Sequence, residues 1–239
     1  MQEEFLWVEK YRPKNVNDTI LPDTLKQTFQ QFVEQDNVPN LLLTGRAGVG
    51  KTTIAKAMLE QIGADYITIN GSMNGNIDTL RTEISSFASS VSFSGGRKYV
   101  ILDEADYLNP NSTQPALRNF MEEFSKNCGF ILTCNYHEKM ILPIVSRCMT
   151  FEIAPMTKVS VAVHMTKILK TENVEYQNDD LAYIVNTYYP DIRKVINVAQ
   201  QSTFEGKLKI NKESCLKTDT HQKLIEMIKN GIGKPTTFN

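Results

Sequence analysis

A few short segments hold the side chains with chemistry to offer. In "LLLTGRAGVGKTT", Gly45, Gly50, Lys51 and Thr52 fall at the spacing Gly-x-x-x-x-Gly-Lys-Thr, between an apolar run and helix-compatible sequence. Glycines at that spacing let backbone N–H groups turn inward around phosphate oxygens, and a helix N-terminus adds its positive end. Lys51 can then neutralise β- and γ-phosphates, and the Thr52 hydroxyl can hold Mg²⁺. In "KYVILDEAD" an apolar strand delivers Asp103 and Glu104 to its C-terminal end, where ligands of open α/β sheets sit. Asp103 suits a Mg²⁺ shell, and Glu104 suits the base that polarises an attacking water. "FILTCN" ends a further strand on Asn135, whose amide can orient that water, although such a residue alone also reads as a turn former. In "YYPDIRKVIN", Pro190 and Asp191 start a helix and leave Arg193 in its first turn. There its charge opposes the helix dipole at about 0.3–1 kcal/mol, which a phosphate partner would offset. Lastly, "ILPIVSRCMTF" contains Arg147 with no acid beside it in sequence. A surface ion pair would give Arg147 about 0–1 kcal/mol of work to do. On a transferring phosphoryl group it would be worth ~10³–10⁵ in rate.

These residues need a scaffold, and the spacing predicts one. Strands are expected at 41–44, 66–70, 99–103, 130–135 and 149–153, as apolar runs suited to a parallel sheet covered on both faces. Helices are expected between them at about 52–62, 77–90 and 113–125, which gives an α/β three-layer arrangement. Pro115 is tolerable only in the first turn of the last of these. After residue 154 the strands cease, and 157–171, 179–188 and 191–203 read as three helices. The expected division is therefore 1–153, an α/β domain; 154–214, a small all-helical domain; and 215–239, the start of a further helical unit.

Composition excludes several function classes. The chain has 41% apolar and 22% charged residues and a net charge of −1, so it has no overall field to attract nucleic acid, and DNA binding would need a local patch or several subunits. Cys128, Cys134, Cys148 and Cys215 form no metal-ligand spacing and read as idle thiols in a reducing compartment. No apolar run approaches membrane-spanning length and the N-terminus is not a signal peptide, so no membrane partner is expected. The expected location is the cytoplasm, that of the host if the chain is a phage's, or the nucleus if it is eukaryotic.

Together the motifs resemble AAA+ ATPases, and more narrowly the sliding-clamp loader subunits: replication factor C small subunits and the large subunit of phage clamp loaders. "WVEKYRP" ahead of the glycine-rich loop and "SRC" after Asn135 are the most specific pieces, and the resemblance runs from about residue 7 to 202. It implies a P-loop AAA+ fold with a five-stranded parallel sheet and a helical lid, followed by a collar, which at 215–239 would be cut short. It implies ATP and Mg²⁺, with Val8, Glu9, Lys10, Tyr11, Arg12 and Ile20 around the adenine. Gly45, Gly48, Val49, Gly50, Lys51, Thr52 and Thr53 would form the phosphate cradle, Thr52 and Asp103 the metal site, and Asn135 and Arg193 the two sensors. Arg147 would be a finger acting in the neighbouring subunit's site. Implied partners are other clamp-loader subunits in a hetero-oligomeric ring, expected to be a pentamer, a sliding clamp and primer–template DNA. Arg81, on the helix at 77–90, reads either as a solvated arginine or as the family's DNA-facing cation, and Val91 and Phe93 as surface residues or clamp anchors. Arg118 and Gln114 read as solvated. Arg46-Ala47 replaces two prolines common in the family. The alternatives are another AAA+ ATPase acting on nucleic acid, against which "EKYRP" and "SRC" argue, and a non-hydrolysing subunit, against which Lys51 and Glu104 argue.

Overall fold

A computed structural model describes residues 5–73, 76–92 and 95–210. The elements follow the order α1 (Trp7–Lys10), α2 (Asp23–Glu34), β1 (Leu41–Thr44), α3 (Lys51–Gln61), β2 (Tyr66–Asn70), α4 (Ile77–Ser89), β3 (Lys98–Asp103) and α5 (Thr113–Glu123). They continue as β4 (Cys128–Cys134), α6 (Leu142–Val145), β5 (Met149–Glu152), α7 (Lys158–Thr171), α8 (Asn178–Tyr188), α9 (Ile192–Gln201), β6 (Thr203–Phe204) and β7 (Lys207–Leu208). The five expected strands form one parallel sheet in the order β2-β3-β4-β1-β5. All five C-terminal ends therefore lie along one edge.

Successive strand residues point to opposite faces, and the core divides accordingly. Leu42, Val100, Leu102, Phe130 and Leu132 pack under α4 and α5 with Leu80, Ile84, Leu117 and Phe120. Leu41, Leu43, Tyr99, Ile101 and Ile131 face α2 and α3 with Phe29, Ile54 and Met58. Burial on both faces holds for β1, β3 and β4. The edge strands β2 and β5 are only partly covered, because each has a single neighbour in the sheet. Helix α2 is an addition to the expected elements. Leu25, Phe29, Phe32 and Val33 recur in it at helical spacing and close over the second face.

The helices α7, α8 and α9 bury Val161, Met165, Ile168, Leu181, Ile184, Val195 and Ala199 against one another. A two-residue antiparallel pair, β6 with β7, follows α9, where only helix was expected. The N-caps are chemically legible: the Thr157 hydroxyl accepts from Ser160 N at 3.1 Å, and Asp191 Oδ1 accepts from Lys194 N at 3.1 Å.

One placement differs from a division at residue 153. Trp7 belongs to the helical cluster, with Val8 and Tyr11 packed beside it. The side chain of Gln200 on α9 clasps the same strap: its Oε1 accepts from Trp7 N at 2.9 Å, and its Nε2 donates to Phe5 O at 2.7 Å. Lys10 Nζ and Tyr11 OH both donate to Glu172 Oε1, at 2.7 and 2.6 Å. Burial raises the Glu172 carboxyl, but those two donors outweigh it and hold its pKa below the usual value. Trp7→Ala is expected to destabilise the protein by about 3–5 kcal/mol, as for other large buried aromatics. A denaturant titration measures this; a loss under 1 kcal/mol would mean that the strap does not hold the helical unit together.

Candidate functional site

A cleft of about 260 Å³ opens where the C-terminal ends of β1, β3 and β4 meet the N-terminal strap and helices α7 and α9. Its floor is the loop after β1. Gly48 stands at φ +77°, and a Cβ there would lie 2.2 Å from Asp191 Oδ1, so the loop turns directly beneath the N-terminus of α9. Ile192 N donates to Gly48 O at 3.3 Å and ties the two together. Helix α3 begins at Lys51, with Gly50 at its N-cap, so the loop ends on a helix N-terminus.

The polar groups of the cleft form two hydrogen-bonded sets. Lys51, only 8% exposed, donates to Gly45 O at 2.7 Å, Arg46 O at 2.9 Å and Asn135 Oδ1 at 2.8 Å. Burial lowers its pKa, and the nearby Cys134, Asp103, Asp106 and Glu104 oppose that shift. In the second set, Thr52 Oγ1 and Thr133 Oγ1 each donate to Asp103 Oδ1 at 2.6 Å, and Glu104 N donates to Thr133 Oγ1 at 3.1 Å. Glu104 has φ +56° and ψ 45°, a left-handed conformation that costs a non-glycine residue roughly 1–2 kcal/mol. The chain there leaves β3 and enters a tight turn at Ala105–Tyr107, and the carboxylate stays on the cleft wall. Strain of this kind collects at functional sites.

The proposed residues distribute as follows. Val8, Tyr11, Arg12, Ile20, Gly48, Val49, Gly50, Lys51, Thr52, Thr53, Asp103, Glu104, Asn135 and Arg193 all line the cleft. Gly45 contributes its carbonyl to Lys51 from just below. Glu9 and Lys10 do not line the cleft; Glu9 pairs with Arg12 at 2.8 Å and Lys10 with Glu172. Arg81 is exposed on α4, and Val91, beyond that helix, is 89% exposed. Both lie outside the cleft, and Phe93 lies outside the described residues, as do Cys215 and the unit expected at 215–239.

Packing adds a partner for Arg147 that its sequence neighbours lack, and it overturns the solvated reading of Gln114. Arg147 does have an acid in its own chain: its Nη2 bonds Glu122 Oε1, and its Nη1 donates to Pro143 O at 2.6 Å. Glu122 lies 25 residues upstream, and only the packing of α5 beside α6 brings the two together. Gln114 is not solvated but 0% exposed. Its Nε2 donates to Leu108 O at 3.1 Å and Lys139 O at 2.9 Å, and its Oε1 accepts from Ile141 N at 2.8 Å. An amide can satisfy three backbone groups in this way, which a buried position demands. The idle thiols stand among the described residues, with burial pushing Cys128 up to about 11 and Cys134 and Cys148 up to about 12.

Sequence reasoning also missed three residues. Thr133 is the hinge of the second hydrogen-bonded set, signalled only by being a polar residue in an otherwise apolar strand. His164 on α7 lines the cleft beside Ile192 and Ile196, and burial lowers its pKa, with Lys167 adding to the effect. Asp106 is buried and accepts from Tyr136 N at 3.3 Å, which fixes the turn just past Asn135.

Residues 41–155 match the model of the ATPase family associated with various cellular activities (AAA). The chain is 36% identical over 214 residues to the replication factor C small subunit of Archaeoglobus fulgidus, covering 87% of this chain and 67% of that protein. It is 37% identical over 218 residues to that of Sulfurisphaera tokodaii, covering 88% and 66%, and 38% identical over 208 residues to that of Halobacterium salinarum, covering 84% and 64%. The chain thus spans slightly under two thirds of the length of the latter two relatives. Among solved structures, a Thermotoga maritima RuvB variant superposes with a TM-score of 0.73 over 95% of this chain and 82% of that one, at 18% identity, a likeness of fold. With its sheet order, its glycine-rich loop on α3 and this similarity along most of its length, the chain belongs to the replication factor C small subunit family.

Proposed function

We propose that the protein is the ATP-hydrolysing subunit of a sliding-clamp loader. The carrying observation is the convergence of Lys51, Thr52, Asp103, Glu104 and Asn135 through direct hydrogen bonds at the ends of three adjacent strands. A set in which Thr52 and Asp103 already share one 2.6 Å contact suits Mg²⁺, which takes one or two protein oxygens and leaves its other positions to phosphate and water. Thr52 and Asp103 would hold the ion, and its positive charge would offset the charge developing on the phosphate.

Lys51 exchanges the carbonyls of Gly45 and Arg46 for β- and γ-phosphate oxygens. Its hydrogen bond to Asn135 passes the presence of a γ-phosphate to the end of β4. Glu104 accepts the proton of a water attacking the γ-phosphorus, while Asn135 orients that water. Arg193 approaches the same phosphate from α9. Val8, Tyr11, Arg12 and Ile20 enclose the base. Arg147 does not line this cleft and acts in that of an adjacent subunit. On this reading residues 1–153 are the ATPase domain, 154–214 the lid and 215–239 the start of a collar. Arg81 contacts DNA phosphates in a salt-sensitive, sequence-independent way. Val91 and Phe93 enter an apolar pocket of the clamp. ATP binding assembles the ring, expected to be a pentamer, on primer–template DNA and an opened clamp, and hydrolysis releases both, in the cytoplasm or the nucleus.

The test is the steady-state ATPase rate with clamp from the same source and with primed DNA, added singly and together. Greater stimulation by both than by either alone is expected. No gain from the pair over the better single ligand would reject the clamp-loader reading and leave a nucleic-acid-dependent ATPase.

A further inference from the structure

The Arg147–Glu122 pair is built in a way that a chance surface contact is not. Both side chains are open to solvent, at 36% and 51% exposure, so the pair does little for folding. Glu122 sits in the last turn of α5, at the negative end of that helix, where an acid is disfavoured. Arg147 lies just past α6, and Pro143 O, within that helix, holds its other terminal nitrogen. Of the five N–H donors of a guanidinium, these two acceptors engage one on each terminal nitrogen. The remaining donors stay available to a second anion. A long, flexible side chain is thereby fixed in orientation without being consumed.

From this geometry we infer that Glu122 is a positioning residue for Arg147: it holds the guanidinium in the pose in which its remaining N–H groups meet the phosphate of the adjoining subunit. The inference rests on the reading of Arg147 as a residue that acts in a neighbour's site. Glu122 itself touches no substrate. Its effect is preorganisation, since an arginine already oriented loses less freedom when the phosphate arrives. Its carboxylate must therefore matter to the neighbour's rate and not to its own chain's site.

A mixing experiment separates the two. Arg147→Ala protein serves as acceptor, with an intact cleft. Glu104→Gln protein serves as donor, with an intact Arg147 but a disabled cleft. ATP turnover restored on mixing reports the donor's arginine. Placing Glu122→Ala on the donor is expected to lower the restored kcat by about 10-fold or more, toward the ~10²-fold that a misplacement on the order of 1 Å costs. Placing it on the acceptor is expected to leave both kcat and KM unchanged. Glu122→Gln on the donor, which keeps an acceptor oxygen, should recover part of the loss. Thermal midpoints within about 2 °C of the parent proteins would show that the fold is intact, as expected for an exposed side chain. An equal loss from either side, or no loss from the donor side, overturns the positioning role of Glu122. Failure of the unmodified donor to restore any turnover is a distinct result: it rejects action of Arg147 across subunits, and the inference falls with it.

Discussion

Arg147→Ala is expected to lower stimulated ATP hydrolysis by about 10³–10⁵-fold while leaving nucleotide affinity at the same chain's cleft nearly unchanged. The magnitude corresponds to about 4–7 kcal/mol of barrier. Arg147 is absent from the cleft of its own chain, and its nearest charged partner is Glu122 on the outer surface. Its removal forfeits an exposed pair worth ~0–1 kcal/mol, so the loss of rate would not be a loss of folding. Equilibrium titration with a fluorescent nucleotide and single-turnover hydrolysis measure the two quantities separately. An affinity loss matching the rate loss would place Arg147 in its own site and refute action on a neighbour.

The second large effect belongs to Glu104. Glu104→Gln preserves shape and the bond from residue 104 N to Thr133 Oγ1, but an amide cannot take a proton from water at neutral pH. Hydrolysis is expected to fall by about 10²–10⁴-fold with binding retained. The left-handed backbone at this position is already imposed by the turn into Ala105–Tyr107, so the substitution adds little strain. A kcat within about threefold of the parent would remove Glu104 from the role of base and shift it to Asp103 or to solvent. Since Asp103 is engaged by Thr52 and Thr133, the geometry favours Glu104.

The parts of the fold that were legible in the sequence are those encoded locally. Each of β1, β3 and β4 is built on a short apolar run, and the glycine-rich loop announces its own conformation. Lys51, Thr52, Asp103, Glu104, Asn135 and Arg193 were likewise found because each lies at the end of a strand or the start of a helix, whereas Val8, Tyr11, Arg12 and Ile20 came from the resemblance alone. What escaped depends on contacts between distant elements. Glu122 reaches Arg147 only through the packing of α5 on α6, and Gln114 becomes a buried hub only because the turns after β3 and β4 converge on it. Nothing in the neighbouring residues marks either one. Helix α2 was legible in principle, since its four apolar residues keep helical spacing. Trp7 illustrates the opposite case: its motif was noticed, but the cluster that receives it is formed by residues more than 150 positions later.

That strap has a mechanical consequence. Among the described residues the chain passes between the sheet and the helical unit twice, at about 12–15 and again at 153–157. A body held by two such crossings swings about the line that joins them and resists twisting across it, as a door does on a pair of hinges. The first crossing begins at Arg12, which walls the cleft beside Tyr11, and Ile192 of the helical unit donates to Gly48 O. Opening of the cleft and rotation of the helical unit would therefore be one coordinate rather than two. Whatever fills the cleft would then bias that rotation, and whatever grips the helices from outside would change the affinity of the cleft to the same degree.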